Sequence, residues 1–339
     1  MNNRFGKIVF RLVAVSLFAV LPALAFAQTA RPAPPARPFL NGHRLKLAEM
    51  HGGDTTEKAI AVDKNVNIKL CVTQGNLKIN GWNRSEVRVF VKDGAKFGFK
   101  ILEKSKQDSP VWIMLSGFAS AKGKYSAPNE CIWGDEIEID APVASTLNIT
   151  GQETKTTIDT IKKATVNIIG GDISLRNVSD GINAATHEGD VTVEESSGAM
   201  TLESTTGNIV VFGARPSQIG DIFKAKTNSG SVSLQQLEHR QIGVSSISGS
   251  VIFNGEILSG GNYNFSTSNG SIRMSIPLKS SCRVVATYGY GTFNSEIPIK
   301  IETEEISEGP VKRRVGLIGT GDATVKLTTN SGSISIKKQ

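Results

Sequence analysis

Asp172 and Asp190 hold the same place in two successive copies of a repeated phrase, 18 residues apart. If the copies stack as neighbouring strands, their carboxylates stand about 5 Å apart. Paired carboxylates at that spacing bind Ca²⁺ or, in a polysaccharide lyase, help neutralise a uronic acid. The same column then reads Asn208, Ser231, Ser250 and Ser271. A metal site does not shed its charge in this way. Asp, Asn and Ser also suit the position after a turn glycine because their short polar groups bond nearby backbone. That structural explanation is preferred, and no metal or cofactor is expected.

A second chemistry is carbohydrate contact, because sugar faces stack on exposed rings. Trp82, Trp112, Trp133, Tyr288 and Tyr290 lie outside the most regular part of the repeat and are weak ligand candidates. The competing explanation, preferred here, is that they cap the ends of the fold or pack under irregular loops. The four histidines, His43, His51, His187 and His239, are scattered without ligand spacing. No Gly-x-Ser-x-Gly elbow is present, so a serine hydrolase has no footing. Gly-Thr-Gly-Asp (319–322) precedes a strand pattern, not a helix, and is not a phosphate cradle. Lys-Arg-Arg (312–314) reads as a solvated basic loop. Of the three cysteines, Cys71 and Cys131 can form a disulfide with Cys282 buried alone, although spacing does not fix the pairing.

These residues must be positioned by the repeat itself. Its copies read Gly-Gly-Asp-Ile-Ser-Leu (170–175), Glu-Gly-Asp-Val-Thr-Val (188–193), Thr-Gly-Asn-Ile-Val-Val (206–211) and Ser-Gly-Ser-Val-Ser-Leu (229–234). Ser-Gly-Ser-Val-Ile-Phe (248–253), Asn-Gly-Ser-Ile-Arg-Met (269–274) and Ser-Gly-Ser-Ile-Ser-Ile (331–336) continue it. The glycines Gly171, Gly189, Gly207, Gly230, Gly249 and Gly270 lie 18, 18, 23, 19 and 21 residues apart, and Gly75 and Gly332 head outlying copies. Two and four residues after each glycine, and five and seven before it, the columns are apolar: Ile173, Leu175, Val166 and Ala164 in one copy, Ile209, Val211, Leu202 and Met200 in another. Alternation puts these on one face of each strand and polar residues such as Thr201, Glu203, Lys224 and Lys226 on the other. A unit of this kind cannot bury its apolar face alone, so the period predicts stacked coils with a shared core. The fold is therefore expected to be all-β, a single-stranded parallel β-helix (β-solenoid), right-handed as parallel crossovers are. The turn glycines are expected at positive φ, and Gly181, Gly198, Gly220 and Gly260 at an opposite corner.

Residues 1–27 read as a signal peptide: Arg4, Lys7 and Arg11, the apolar run Leu12–Leu21, then Ala25-Phe26-Ala27 before a cut at Gln28. The apolar run is shorter than the roughly 20 residues a bilayer needs. No Cys follows the cut, which argues against a lipid anchor, and no later segment is expected to span a membrane. Removing the signal lowers the formal charge from +7 to +4, a modest surplus that gives no case for nucleic acid. Residues 28–56 are Pro-rich and predicted to be a disordered tether. The solenoid is expected over 57–339, less regular over 57–150, with an insertion or hairpin near 94–135, regular coils over 151–339 and an irregular stretch at 276–315.

The tandem Ser/Asn-Gly-Asp/Ser-Ile/Val-x-Val/Leu phrases resemble the bacterial putative-adhesin family of β-solenoid domains. So do Gly-Asn-Leu-Lys-Ile-Asn-Gly-Trp-Asn (75–83), Val-Arg-Val (87–89) and the closing run 319–336. The resemblance covers residues 57–339, with 94–135 as the main departure. It implies a parallel β-helix-like fold and carries over no catalytic motif. The expected function is an exported, non-enzymatic adhesin or envelope scaffold, periplasmic or extracellular, with a cell-surface glycan or envelope protein as partner. A β-helix polysaccharide lyase or hydrolase and a periplasmic envelope sensor or assembly partner are the alternatives.

Overall fold

The computed structural model describes residues 55–117, 131–306 and 309–339. The predicted signal peptide, nearly all of the predicted tether and part of the 94–135 region lie outside the described residues. Strand is the only extended regular structure among those described. No helix there is long and apolar enough to cross a membrane.

The middle of the molecule is a stack of two-strand coils. They are β8 (Lys163–Gly170) with β9 (Ile173–Arg176), β10 (Ile182–Glu188) with β11 (Val191–Glu194), and β12 (Met200–Thr206) with β13 (Ile209–Phe212). Then come β14 (Ile222–Ser229) with β15 (Val232–Gln235), β16 (Gln241–Ser248) with β17 (Val251–Asn254), and β18 (Asn262–Asn269) with β19 (Ile272–Ile276). Each strand pairs in parallel with its counterpart one coil on, in the register the glycine alignment gives: Ile173 on Val191, Val191 on Ile209, Ile209 on Val232. The apolar columns are buried throughout, with Tyr263, Phe223, Phe253 and Phe265 the bulkiest members in this region. Branched hydrocarbon fits because the two strands of a coil leave a narrow interior that each residue shares with copies above and below.

The turn glycines are required for two different reasons. Gly171 has φ +113°, inside the left-handed region that penalises a Cβ. Gly270 lies outside that region, against the expectation of positive φ at every turn glycine. A Cβ there would instead lie 2.1 Å from the carbonyl oxygen of Gly249, one coil away. Close stacking of bare backbone is thus the more general constraint. The next corner uses left-handed Thr160, Asn177, Glu195, Gly213 and Gln236, only one of them a glycine. The 23-residue spacing before Gly230 accommodates a loop whose Ser217 and Gln218 N–H groups donate to the buried Asp221 carboxylate.

Both ends depart from simple winding. At the start, β1 (Thr55–Ala61) opens two residues inside the predicted tether, followed by β2 (Asn67–Trp82), β3 (Glu86–Lys92), β4 (Phe97–Lys104), β5 (Pro110–Gly117), β6 (Ile132–Pro142) and β7 (Thr146–Asp159). β2 and β7 each run through a whole coil and pair in parallel over most of their length. β4 and β5 form an antiparallel hairpin in the region expected to break the period. β5 and β6 lie on the side of β2 away from β7, so β2 is an inner rung. β3 and β1 then continue outwards as antiparallel strands.

The far end repeats this device. β20 (Cys282–Tyr290) and β21 (Phe293–Ser295) form a further coil, with Gly291 over Gly332 in the glycine row. The stretch 276–315, expected to be irregular, therefore contains one regular coil. β22 (Lys300–Ile306) and β23 (Lys312–Ile318) form an antiparallel hairpin on β20. β24 (Ala323–Ser331) and β25 (Ile334–Lys338) then return and sit between the β18/β19 coil and the β20/β21 coil. The outermost strand, β22, is exposed along its length and carries Glu302, Glu304 and Glu305, charges that discourage edge-to-edge pairing.

Candidate functional site

The column containing Asp172 and Asp190 is a ladder of side chain to main chain hydrogen bonds. The N–H of Asp190 donates to Oδ1 of Asp172 at 3.0 Å, that of Asn208 to Oδ1 of Asp190 at 2.7 Å, and that of Ser231 to Oδ1 of Asn208 at 2.9 Å. It continues through Oγ of Ser231, Ser250 and Ser271 at 3.4, 3.4 and 3.2 Å. The longer bonds follow from chemistry, since serine is one atom shorter than Asp or Asn. The two carboxylates are thus adjacent, as expected, but each caps the next coil. Among the described residues no group of three or more His, Cys, Asp or Glu side chains is placed to hold a metal. The backbone bonded is that of the following coil rather than the local turn.

A second ladder lies inside. Thr186, Ser204, Thr227, Ser246, Thr267 and Thr329, three residues before each glycine, are buried, and each hydroxyl donates to a turn-glycine carbonyl one coil away at 2.7–3.1 Å. The sequence signal was present: this position shares the inward parity of the two apolar columns before it.

The aromatic candidates separate. Trp82 is half-buried, donates its indole N–H to the Glu86 carbonyl at 2.8 Å and lies within 4.9 and 5.4 Å of the Arg84 and Arg88 guanidinium carbons. Tyr288, expected outside the packed columns, is instead buried with its ring stacked on Phe293 at 6.3 Å, because it takes the inward position of the β20/β21 coil. Trp112, Trp133 and Tyr290 are exposed, at 43%, 52% and 68%. Lys312–Arg314 form part of β23 rather than a loop, and Arg313 and Arg314 pair with Glu305 and Glu304. In the 319–322 turn, the N–H groups of Thr320 and Gly321 donate to the Ser281 hydroxyl.

Around Trp133 the corner opens into a trough of about 610 Å³ lined by Gln74, Gly75, Asn76, Lys92, Trp133, Gly134, Asp135, Glu136, Glu153 and Lys155. Its floor is backbone: a Cβ on Gly75 would lie 1.8 Å from the Gly134 oxygen, and Thr154 beneath is buried. One wall follows the register Trp133–Gln74–Glu153, the other Glu136–Asn76–Lys155. The register shift between Val72 and Asn76 on β2 falls opposite Trp133, where the ring points outwards. Cys71 is bonded to Cys131, two residues before Trp133, and the Ala95 N–H donates to the Trp133 carbonyl at 2.8 Å. Covalent and hydrogen-bonded anchors therefore fix the strand that carries the ring.

Two further titratable groups, His239 and Cys282, are internal. His239 is buried, with Nε2 2.9 Å from the Gly198 carbonyl oxygen and Nδ1 without a partner; burial holds its pKa below the ordinary imidazole value. Burial pushes the Cys282 thiol up to about 11.

The family model that matches is Toastrack DUF4097, over residues 155–337. No curated protein matches the chain. Among solved structures, a putative adhesin from Bacteroides fragilis is 13% identical with a TM-score of 0.39, covering 84% of this chain and 97% of its own. A putative cell adhesion protein from Clostridium sporogenes is 11% identical with a TM-score of 0.25, covering 84% and 100%. A putative lipid binding protein from Parabacteroides distasonis is 12% identical with a TM-score of 0.28, covering 84% and 96%.

Proposed function

The chain belongs to the Toastrack DUF4097 family, and on that footing we propose that it is exported and acts as a non-enzymatic, adhesin-like binding module for a cell-surface glycan or an envelope protein. One observation carries this reading: the carboxylates with the spacing for chemistry, Asp172 and Asp190, are committed to capping neighbouring coils. The side chains left facing outwards repeat in register from rung to rung. Rows of this kind suit a repeating or extended partner, because many weak contacts add when their spacing is fixed.

The test uses the purified full chain on whole cells and on a glycan array, beside incubation with pectin, alginate and hyaluronan. Saturable binding without unsaturated products supports the proposal. Product formation from any of the three polymers would replace it with the polysaccharide lyase alternative, and absence of binding to cells and array would remove the adhesive role.

A further inference from the structure

We propose that the trough at Trp133 is a binding site for a neutral oligosaccharide, an inference that rests on the binding-module reading above. One sugar ring stacks on the indole, and its hydroxyls meet the Gln74 and Asn76 amides and the Glu153 and Lys155 side chains.

Four features of the molecule lead to this assignment. First, the ring is half exposed although its strand is fixed on both sides, by the Cys71–Cys131 disulfide and by the bond from Ala95 to its carbonyl. A preorganised aromatic loses little freedom on binding, which is how rigid platforms gain affinity.

Second, the floor is bare. Gly75 approaches Gly134 too closely for any side chain, so a flat ligand can descend between the walls.

Third, the walls are polar. Gln74 and Asn76 flank the glycine on either side. The Gln74 amide offers a donor and an acceptor. Asn76, whose Nδ2 donates to the Asp135 carbonyl at 3.3 Å, presents its Oδ1 and its second N–H, a match for adjacent hydroxyls. The two rung spacings from Trp133 to Glu153 span about 10 Å, the size of a short oligosaccharide. An aliphatic chain would find no second apolar group among the lining residues.

Fourth, charge selects against anions. Lys92 pairs with Glu136 at 3.7 Å, leaving Lys155 against Asp135 and Glu153. A polyanion gains nothing from this balance, whereas an uncharged sugar is indifferent to it.

The experiment measures binding of cellotriose, maltotriose, chitotriose and a heparin tetrasaccharide to the full chain by calorimetry and by saturation-transfer NMR. Trp133→Ala should weaken the best neutral ligand at least about tenfold, while Trp112→Ala leaves it within about twofold. Trp133→Phe should fall between them. Glu153→Ala, an exposed position on a different strand, guards against misfolding of the Trp133 variants and should weaken binding without altering the melting temperature.

Equal affinity in Trp133→Ala, preference for the heparin fragment, or no neutral ligand bound would each overturn the site. If cell binding survives in Trp133→Ala, the trough is wrong while the binding-module reading stands. Absence of wild-type binding to both whole cells and the glycan array would instead defeat that reading.

Discussion

Oδ1 of Asp172 accepts the main-chain N–H of Asp190 at 3.0 Å, across one coil of the solenoid. Asp190 passes the pattern on, accepting the N–H of Asn208 at 2.7 Å. Asp190→Asn keeps an acceptor and should leave stability nearly unchanged, whereas Asp190→Ala should cost about 1 kcal/mol. Urea denaturation of the two variants measures the difference. Millimolar Ca²⁺ should not raise the wild-type midpoint; a rise abolished by Asp190→Asn would make the column a metal site after all.

The glycine row makes a steric prediction. A Cβ on Gly207 would lie 2.0 Å from the Gly189 oxygen, and backbone cannot yield there without opening the stack. Gly207→Ala should therefore destabilise by roughly 2–4 kcal/mol. A methyl group on Gly243 would meet nothing within 4 Å, and the backbone there is not left-handed. Gly243→Ala should be neutral or slightly stabilising in the same denaturation assay.

His239 predicts acid sensitivity of a definite sign. Its Nε2 donates to the Gly198 carbonyl in the neutral form, which leaves Nδ1 bare and buried. Burial lowers the folded pKa, and Gly198, Asp221 and Glu238 only partly oppose it. Above about pH 6.5 neither state holds the proton. Below that the unfolded chain binds it first, so stability falls as pH drops towards the lower folded value. His239→Gln, which retains a donor, should flatten the midpoint between pH 7 and 5. Asp221 adds a separate loss at lower pH. Burial alone would raise its pKa, but hydrogen bonds from Gln218 and Ser217 outweigh that and hold the carboxyl below its ordinary value. An unaltered slope in His239→Gln would remove the account.

The disulfide and the third cysteine should behave oppositely. Cys71–Cys131 closes a loop of 60 residues, and replacing both by serine should cost about 4 kcal/mol on chain-entropy grounds. Cys282 is buried with its thiol pushed up to about 11, so thiol reagents should label it only after unfolding. Mass spectrometry of alkylated native and denatured chain distinguishes the two.

Much of the coil is legible in the sequence because alternation and the glycine period report the same face. The buried Thr186 column escapes any reading in which polarity means exposure, although a Ser or Thr with a carbonyl partner is comfortable inside. The β20/β21 coil is hidden by Ser295, a polar residue where every other copy carries an apolar one. With that coil unseen, Tyr288 falls outside the packed columns. Trp133 stands among the sequence candidates, but its trough does not, since Gln74 and Glu153 reach it only through strand pairing across long stretches of chain.

Residues 323–338 occupy an inner rung, yet the ribosome makes them after the 282–318 segment that covers them. Winding from one end, in the order of synthesis, cannot complete such a molecule. The coil of residues 282–295 can join the stack only together with, or after, residues 323–338, because its parallel partners are the later strands.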